Sequence, residues 1–582
     1  MKEKIKSIVE RATRKLFTEI PSFTVEIPPD KKYGHYSCNI AFLLAHQLKK
    51  QPIQVANLIK NVLSSSPYFK DIQVAPPGFL NFFVSDKVIF EEIKRIRQEL
   101  TKNKKKAKII FPKYKGKKIA VDYTDPNPFK EFHIGHLMSN IIGETLCRLF
   151  ESQGAEVKRI CYQGDVGLHV AKTIWAILSL LKKQFPTDNQ PLEQKIKYIS
   201  KAYCLGTQAW DQGLTQKGES IERVRAEIRE LNKKIYEQSD PEVNFVYKKG
   251  KEWSLEYFDR IYKLLGTPFD YFIFESQIAQ ESKRIVENGL KKKIFEKGEK
   301  EAIVFKGKKY GLHTRVFVTS EGIPTYEAKD LALSKIKYKL FPYDKSFIVT
   351  GNEVNEYFKV VFFVMSKIFP SLARKTEHIG HGMMRLPEGK ISSRKGNVIT
   401  AESLIKTVQE IIMEKMKDRP FSEREKKEIS QKIALAAIRY SILRQSIGKD
   451  IVFDLEKSIS LNGDSGPYLQ YSLTRAKSIL KKAKIKKIKP LFIHPPFSFT
   501  DLETTIIEFP FFVQEAVNKR EPHLLVLFLT ELAQSFNNYY AKYKILDKRD
   551  KYSSYRLELV RIFASILEKG LWLLGIEPLE KM

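Results

Sequence analysis

Cysteine is scarce in this sequence, with 4 residues among 582. The four are Cys38, Cys147, Cys161 and Cys204, and they form no CxxC pair and no zinc-like spacing with histidine. This pattern argues against a structural zinc site. It also favours a reducing compartment, because thiols stay unpaired there.

Long apolar runs are also missing, since no segment is long enough to span a bilayer. The amino-terminal segment MKEKIKSIVERATRKLF is amphipathic and charged, without the apolar region of a signal peptide. No internal repeat or low-complexity tract is visible. We therefore expect a soluble, cytoplasmic protein with no membrane partner.

Acidic residues are fewer than basic ones, with 68 Asp and Glu against 101 Lys and Arg, a formal charge of +33. Such an excess favours a polyanionic partner, because basic side chains release condensed counterions when they neutralise phosphates. The alternative is a generally basic protein with lysine-rich solvated faces. Charge alone therefore suggests nucleic acid without establishing it.

The length indicates several domains, because 582 residues exceed what one hydrophobic core usually supports. The charged run from Lys102 to Lys106 is a candidate linker. We predict domains at 1–105, 106–434 and 435–582, with a helical insertion at about 176–295. The first mixes helices with a strand at GFLNFFVS, and the last is all helical.

The segment after the linker has the order strand, turn, helix, strand. The strand KKIAVDYT is followed by a proline-rich turn, by the helix HIGHLMSNIIGETLCRLFESQG with Gly154 as its stop, and by the strand EVKRICY. Such a βαβ unit predicts a parallel, doubly wound sheet. Strand-like segments return at AIVF, RVFVTS and SFIVTG, so we predict one Rossmann-type fold split by the insertion.

The strongest motif is His133-Ile134-Gly135-His136, at the start of the first helix of that unit. A helix N-terminus presents free N–H groups to an anion, and Gly135 allows close backbone approach. The two imidazoles can donate hydrogen bonds to nucleotide phosphates. The alternative is a pair of surface histidines in an ordinary turn.

The same four letters recur at 378–381, which shows how weak a four-residue match is by itself. No suitable helix follows this second copy, so we interpret it as a coincidence. A second motif, KISSRKGN at 390–397, places cations and hydroxyls in a loop that suits a triphosphate. A solvated basic loop is the alternative.

The pairing of HIGH with KISSRKGN resembles the HIGH and KMSKS signatures of class I aminoacyl-tRNA synthetases. Further stretches resemble the arginyl family: PNPFKEFHIGHLMSNIIG, RVFVTSEGIPTYEAKDLA, FDYFIFES, KDIVFDLE, YLQYSLTRA, FNNYYAKYKIL and LLGIEPLEKM. YGHYSCNIAFLLA and PPGFLNFFVS resemble its additional amino-terminal tRNA-binding domain. The resemblance implies an α+β tRNA-binding domain, a split class I catalytic domain and an all-α anticodon-binding bundle.

The resemblance implies roles for individual residues. The catalytic residues would be His133, His136, Lys130, Lys390 and Lys395, and ATP would also contact Gly135, Ser392 and Ser393. Arginine would be bound by Asp122, Asn127, Tyr326, Asp330 and Glu353. A guanidinium is a planar, permanently charged set of donors, so a pocket of carboxylates and a phenol suits it.

The sequence departs from the family pattern at three places. Asp122 stands where Glu is common, and Glu353 stands where Gln or Asp is more frequent. Ser393 replaces the second lysine of the KMSKS loop. In arginyl enzymes with that change a lysine just before the HIGH motif is thought to substitute, and Lys130 occupies that place.

For tRNA, the resemblance implies stacking on a D-loop base by Phe79 with Asn81 beside it, while Pro76 removes a neighbouring polar contact. The anticodon-binding candidates are Tyr468, Arg475, Tyr539 and Tyr540, interleaved with Tyr471, Lys542, Tyr543 and Lys544. The alternative for any of these helical residues is bundle core or ordinary surface.

We thus expect a monomeric ligase that joins arginine to its cognate tRNA, consuming ATP with Mg²⁺ and releasing AMP and pyrophosphate. Rivals are the same chemistry with another amino acid, such as glutamate, cysteine or lysine, or a non-catalytic tRNA-binding paralogue. Cysteine is disfavoured because no Cys/His zinc set exists. Glutamate is disfavoured because Asp122, Asp330 and Glu353 would repel it. Four intact residues argue against the paralogue: His133, His136, Lys390 and Lys130.

Overall fold

The computed structural model describes residues 1–102, 112–213, 220–386, 399–493, 495 and 498–582. The chain divides into two compact units. Unit 1 comprises residues 1–111, 468–571 and 578–582, and unit 2 comprises residues 112–467 and 572–577. The two ends of the chain therefore share one unit, and the middle of the chain forms the other.

The amino-terminal part of unit 1 packs helices against a four-stranded antiparallel sheet of order β1-β2-β4-β3. The helices are α1 (Lys2–Arg14), α2 (Ile40–Leu48), α3 (Pro52–Leu63) and α4 (Asp86–Lys102), and the strands are β1 (Val25–Glu26), β2 (Tyr36–Cys38), β3 (Phe69–Ala75) and β4 (Phe79–Val84). Strand β4 lies within the predicted GFLNFFVS segment. Its buried side chains, Leu80, Phe82 and Val84, alternate along the strand and face the core.

Unit 2 is built on a five-stranded parallel sheet of order β12-β11-β5-β6-β7. Its strands are β5 (Lys118–Tyr123), β6 (Glu156–Gln163), β7 (Tyr271–Phe274), β11 (Lys345–Gly351) and β12 (Thr376–His381). All five carboxyl ends meet at one edge, which is where ligands bind in open α/β sheets. The predicted parallel, doubly wound sheet is confirmed.

Helix α5 (Ile134–Ser152) connects β5 to β6 and is buried on nearly all sides. Its continuous apolar content, with Leu137, Ile141 and Leu149, fits a helix enclosed by protein rather than one facing water. The helix ends before Gly154, whose φ of +85° is a left-handed conformation that suits glycine. This is the stop that the sequence indicates.

The other helices of unit 2 cover the sheet and extend from it. They are α6 (Leu168–Ala176), α7 (Leu192–Gln212), α8 (Ile221–Glu237), α9 (Pro241–Leu265), α10 (Glu275–Lys291), α11 (Tyr326–Leu340), α12 (Asn355–Ile368), α13 (Pro370–Lys375), α14 (Ala401–Lys415), α15 (Glu423–Leu443) and α16 (Leu455–Ser458). Local signals set their ends. Helix α9, for example, is capped by Asp240, has proline first, and stops at Gly266 with φ +60°.

Two smaller sheets complete unit 2. Strands β8 (Glu296–Lys297), β9 (Ile303–Phe305) and β10 (Arg315–Val318) form an antiparallel sheet, and β13 (Met384–Arg385) pairs with β14 (Ile451–Val452). The segments AIVF and RVFVTS are thus strands, but outside the parallel sheet that contains SFIVTG. A short strand carries no local signal for its partner, so its sequence could not distinguish the two sheets.

The predicted insertion at 176–295 contains helices α7, α8 and α9, but also β7, which pairs with β6. The four residues YFIF are too short to give a periodic signal within a charged region. The predicted boundary at 434/435 falls inside α15, while unit 2 continues to residue 467. The boundary at 105/106 lies outside the described residues. The domain limits stay predictions.

The carboxy-terminal part of unit 1 consists of helices α17 (Gly466–Ile485), α18 (Asp501–Lys519), α19 (His523–Lys542) and α20 (Ser553–Leu573). They contact the amino-terminal part of the same unit. Arg97 pairs with the buried Glu558 at 2.5 Å, and the rings of Phe90 and Phe492 stack with centroids 4.3 Å apart. Across the described residues, no helix is both long and apolar enough to cross a membrane.

Candidate active site

The segment that follows β5 has a strained backbone. Thr124, Asp125 and Phe129 have φ of +81°, +45° and +67°, values that non-glycine residues rarely adopt. Hydrogen bonds hold the segment: Thr124 N–H donates to Ser139 Oγ at 3.2 Å, and Phe129 N–H donates to Ser254 Oγ at 3.0 Å. Strain that the surrounding structure enforces is common at functional sites.

His133 and His136 begin α5 and form a reciprocal cap. His133 Nδ1 accepts the N–H of Gly135 at 3.1 Å, and His136 Nδ1 accepts the N–H of His133 at 3.3 Å. Because each Nδ1 is an acceptor, the proton of each neutral imidazole lies on Nε2. The rings stack with centroids 3.6 Å apart. The motif thus presents two Nε2–H donors at a helix N-terminus.

Both imidazoles are kept neutral. Burial lowers the pKa of His133, and the charge of Lys130 adds to this effect. Burial lowers the pKa of His136 well below its ordinary value, with His133 and Lys130 acting in the same direction. Neutral donors can approach phosphate oxygens without a change of protonation.

A cavity of about 400 Å³ lies over this cap. Its walls come from the carboxyl ends of β5, β11 and β12 and from the first turn of α5. The lining residues are Thr124, Asp125, His133, Ile134, Gly135, His136, Met138, Ser139, Thr350, Gly351, Glu353, His381, Gly382, Met383 and Met384. A Cβ on Gly351 would lie 2.0 Å from Glu353 Oε2, so a side chain there would displace that carboxylate from its present position.

An acidic cluster lies beside the cavity, at the end of β5 and on α11. Asp122 is 1% exposed and pairs with the fully buried Lys337 at 2.8 Å, while its Oδ1 has no hydrogen-bond partner. Asp330 Oδ2 accepts the hydroxyl of Tyr357 at 2.6 Å. Asp125 is close enough to both for their charges to interact. The carboxylates of Asp122, Asp125 and Asp330 thus outnumber the one lysine.

The cluster perturbs its own ionisation. Burial raises the pKa of Asp330 to about 7; Asp122 and Glu275 act in the same direction, and Tyr357 and Lys337 oppose them. Burial also raises the pKa of Asp125 well above its ordinary value, and the charge of Asp122 adds to the shift. A bound cation would relieve both effects.

A second buried ion pair lies next to this cluster. Lys329 Nζ contacts Glu275 Oε2 at 2.5 Å and the hydroxyl of Tyr236 at 3.0 Å. The Tyr326 ring, whose centroid is 5.3 Å from Lys329 Nζ, belongs to a side chain that is 54% exposed. Asn127 Oδ1 accepts the N–H of Gly164 at 3.2 Å. Tyr326 and Asn127 are therefore at the same sheet edge as the cluster.

The charge of Lys130 acts on both His133 and His136. Lys130 Nζ is 4.9 Å from the centroid of the Tyr203 ring. Lys390, Ser392, Ser393 and Lys395 of the KISSRKGN loop lie outside the described residues.

The second copy of the histidine motif is strand β12, not the start of a helix. His378 Nε2 is 2.7 Å from Thr350 Oγ1, and its ring stacks on Phe358. His381, by contrast, lines the cavity. His381 was not predicted as a site residue, although its place at the end of a parallel strand is a signal for one.

Asp125, Lys337 and Tyr357 were missed as well. Asp125 directly follows the first predicted strand, in a turn where an aspartate is usually a local cap. Lys337 and Tyr357 lie on helices α11 and α12, more than 200 positions after β5, and no local sequence pattern indicates that they reach the site.

Among the described residues, no group of three or more His, Cys, Asp or Glu side chains could hold a metal ion.

In unit 1, Phe79 and Asn81 line a cavity of about 840 Å³ with Tyr33, Phe42 and Pro76. Phe79 is 39% exposed. Asn81 is buried, and its Oδ1 accepts the hydroxyl of Ser37 at 2.8 Å.

The helical bundle of unit 1 places Arg475 between two tyrosines. Arg475 donates to the Tyr471 hydroxyl at 2.7 Å, and its guanidinium carbon lies 5.4 Å from the centroid of the Tyr540 ring. These residues line a cavity of about 750 Å³. Tyr468 and Tyr539 are buried in the bundle, as the core alternative would have them.

A parallel nucleotide-binding sheet whose first helix begins with this histidine pair defines a class I aminoacyl-tRNA synthetase. The comparisons agree with that class. Residues 95–455 match the class I (R) tRNA synthetase catalytic domain, residues 469–582 the DALR anticodon-binding domain, and residues 1–84 the arginyl-tRNA synthetase N-terminal domain.

Relatives that match along nearly the whole chain identify one family within this class. The chain is 30% identical to an arginine–tRNA ligase of Clostridium kluyveri over 96% of both chains, and 29% identical to that of Clostridium perfringens over 99% of both. The arginyl-tRNA synthetase of Thermus thermophilus has a similar fold, with a TM-score of 0.78 and 22% identity over 100% of both chains. The chain belongs to the arginyl-tRNA synthetase family and charges tRNA with arginine in translation, with ATP as a substrate.

Proposed function

We propose that the guanidinium of arginine binds in the acidic cluster, with Asp330 and Tyr326 as direct partners and Asp122 beneath them. The excess of carboxylates, with Asp122 buried and Asp125 and Asp330 partly buried, supports this: a desolvated negative charge without a counter-charge is costly, and a permanent cation would compensate it. Asp122 already pairs with Lys337, so its contribution to the ligand is through Oδ1 or through charge. Asn127 and Glu353 would hold the amino-acid end.

We propose that the phosphates of Mg²⁺-bound ATP lie against His133, Gly135 and His136. The two Nε2–H donors and the helix N-terminus would stabilise charge on the α-phosphate as it is attacked. The arginine carboxylate attacks that phosphorus, and pyrophosphate leaves. The arginyl group then passes from the adenylate to the terminal ribose of tRNA, and AMP is released. Positioning and charge stabilisation suffice for these steps, so no general base is assigned.

The KISSRKGN loop would complete the phosphate site through Lys390, Ser392, Ser393 and Lys395. Lys130 would supply the charge that Ser393 lacks, and its proximity to His133 supports this role. Lys130→Ala should depress the rate of activation far more than it weakens arginine binding. Equal losses in both would contradict the compensation.

The tRNA contacts are proposals for unit 1. The exposed ring of Phe79 over an open cavity suits stacking of an unpaired base, with Asn81 beside it. Arg475 and Tyr540 suit the anticodon, because a guanidinium and an aromatic ring can both stack on bases. Tyr468 and Tyr539 would support that surface from within the bundle. We also propose a cytoplasmic monomer.

The decisive experiment is ATP–pyrophosphate exchange with each amino acid, with and without cognate tRNA. Exchange only with arginine, lost in Asp330→Asn, is the expected result. ATP–pyrophosphate exchange supported by another amino acid instead of arginine would contradict the proposed arginine pocket. No exchange under any condition would favour the non-catalytic paralogue.

A further inference from the structure

The number of carboxylates without a counter-charge in the acidic cluster matches the number of cationic groups on the substrate. Asp122 and Lys337 neutralise each other as an ion pair. Asp125 and Asp330 remain, and the described residues provide no second lysine or arginine in an ion pair with either. Arginine carries two cationic groups, the guanidinium and the α-ammonium. Two free carboxylates therefore face a ligand with two positive charges.

The positions of Asp125 and Asp330 indicate which cationic group of arginine each carboxylate would bind. Asp125 lines the cavity together with His133 and His136, whereas Asp330 does not. In the ligand, the α-ammonium is attached to the carbon that carries the reacting carboxylate, and the guanidinium lies four carbons away. The carboxylate nearer the phosphate site must therefore meet the α-ammonium.

The side chain of Asp125 is held ready for such a contact. Its Oδ1 accepts the N–H of Tyr162 at 2.8 Å, which fixes the rotamer. Its backbone is left-handed, as is that of Thr124 before it. In the part of the chain that the structure describes, no donor is bonded to Oδ2. One oxygen thus anchors the carboxylate, and the other is available.

We propose that Asp125 binds the α-ammonium group of arginine, so that a free amino group strengthens binding. This inference rests on the proposed location of the guanidinium at Asp330, and it adds a second charged contact at the opposite end of the substrate. It also gives the strained segment after β5 a function, since the left-handed backbone turns Asp125 toward the cavity.

Glu353 is the competing candidate, because it lines the same cavity. Its side chain is exposed, so water and salt screen its charge more than that of Asp125. We therefore expect Glu353 to contribute less to α-ammonium binding.

The test uses three ligands of the full-length protein, measured by isothermal titration calorimetry. Arginine has both cations and the carboxylate, agmatine lacks the carboxylate, and 5-guanidinopentanoate lacks the amino group. Asp125→Asn keeps an oxygen for Tyr162 but removes the charge. It should weaken arginine and agmatine by about 10- to 100-fold, as loss of a charge-assisted hydrogen bond predicts. Binding of 5-guanidinopentanoate should change by less than about 3-fold.

Retained binding of 5-guanidinopentanoate also shows that the variant is folded. Should Asp125→Asn prove unstable, Asp125→Ser must give the same ligand pattern. Equal weakening of all three ligands, unchanged arginine binding, or an amino-dependent loss that appears in Glu353→Gln instead would each overturn the proposal. Asp330→Asn should weaken all three ligands alike; if it weakens none, the guanidinium pocket fails independently of Asp125.

Discussion

Burial shifts pKa values in opposite directions in the two halves of the candidate active site. At the start of α5, burial lowers the pKa values of His133 and His136 and leaves neutral donors. At the end of β5 and on α11, burial raises the pKa values of Asp125 and Asp330. One half is thus suited to an anion and the other to a cation, although the same desolvation acts on both.

With the binding sites proposed above, this difference between the two halves allows ATP and arginine to lie side by side at one sheet edge. Neutral histidines bind phosphate through dipoles and donors and need no counter-ion. The carboxyl groups resist ionisation where they are desolvated together, and a cationic ligand favours their charged form. Each half would exclude the other's substrate, since phosphate would be repelled by Asp330 and a guanidinium would find no acceptor at the Nε2–H groups.

The largest expected effect comes from removing a donor of the phosphate half. His136→Ala should reduce the arginine-dependent exchange rate by about 10²- to 10³-fold, as for other preorganised donors to a developing charge. Arginine affinity should change little. The matched control is His378→Ala, in the second copy of the motif, which should retain exchange within a few-fold. A comparable loss in the control would mean that β12 has a direct part in phosphate binding.

Removing charge from the cationic half should act on affinity. Asp330→Asn should weaken arginine binding by about 2–3 kcal/mol, because a charge-assisted contact to a buried guanidinium is lost. Calorimetric titration with arginine and with citrulline, its uncharged analogue, measures this. The preference for arginine should collapse in the variant. An undiminished preference would move the guanidinium away from Asp330.

The pH dependence sharpens the comparison. Asp330 faces Asp122, Glu275, Lys337 and Tyr357, and burial raises its pKa to about 7. A bound cation favours the ionised form, so arginine binding releases a proton wherever Asp330 is protonated in the free protein. Affinity should therefore rise with pH through about 7 to a plateau, and one unit below 7 it should be about 10-fold weaker than at that plateau.

Calorimetry in buffers of different ionisation enthalpy reports that proton directly. Near pH 7 the Asp330 contribution should be about half a proton released per arginine bound. Asp330→Asn should lack this contribution and keep only what Asp125 provides. Proton release that is unchanged in the variant would assign the titration to another group.

The smallest effect is expected in unit 1. Phe79→Ala should raise the KM for tRNA about 5- to 20-fold, the loss of one stacked base, and leave arginine binding unchanged. Phe245→Ala is a matched control, because its ring is 54% exposed in unit 2. If both variants raise KM alike, the effect of Phe79 is not a specific contact.

Local signals in the sequence were sufficient for much of this architecture. The order strand, turn, helix, strand around His133 predicted the parallel sheet, and the helix stop at Gly154 is present. Non-local pairs were not predictable, because Asp122 and Lys337 are 215 positions apart and neither position shows a local pattern. The same holds for Glu275 with Lys329, and for Tyr357 with Asp330.

The family resemblance named candidate substrate residues but not their ionisation. Asp122 was expected to contact the guanidinium directly, and its pairing with Lys337 depends on packing that no motif encodes. Asp125 immediately precedes the stretch PNPFKEFHIGHLM, which carries part of the family resemblance. A single aspartate in a turn, however, is usually a local cap. Only its surroundings give it a different meaning.

Residues from both ends of the chain share unit 1, where Arg97 holds Glu558 and Phe90 stacks on Phe492. With the tRNA contacts proposed above, the base-stacking ring of Phe79 and the surface around Arg475 belong to one body. Side-chain packing, rather than a linker, would then set the span between them. The two surfaces would then lie at a fixed spacing. A tRNA lengthened by one base pair between elbow and anticodon should therefore bind to either surface, but not to both at once.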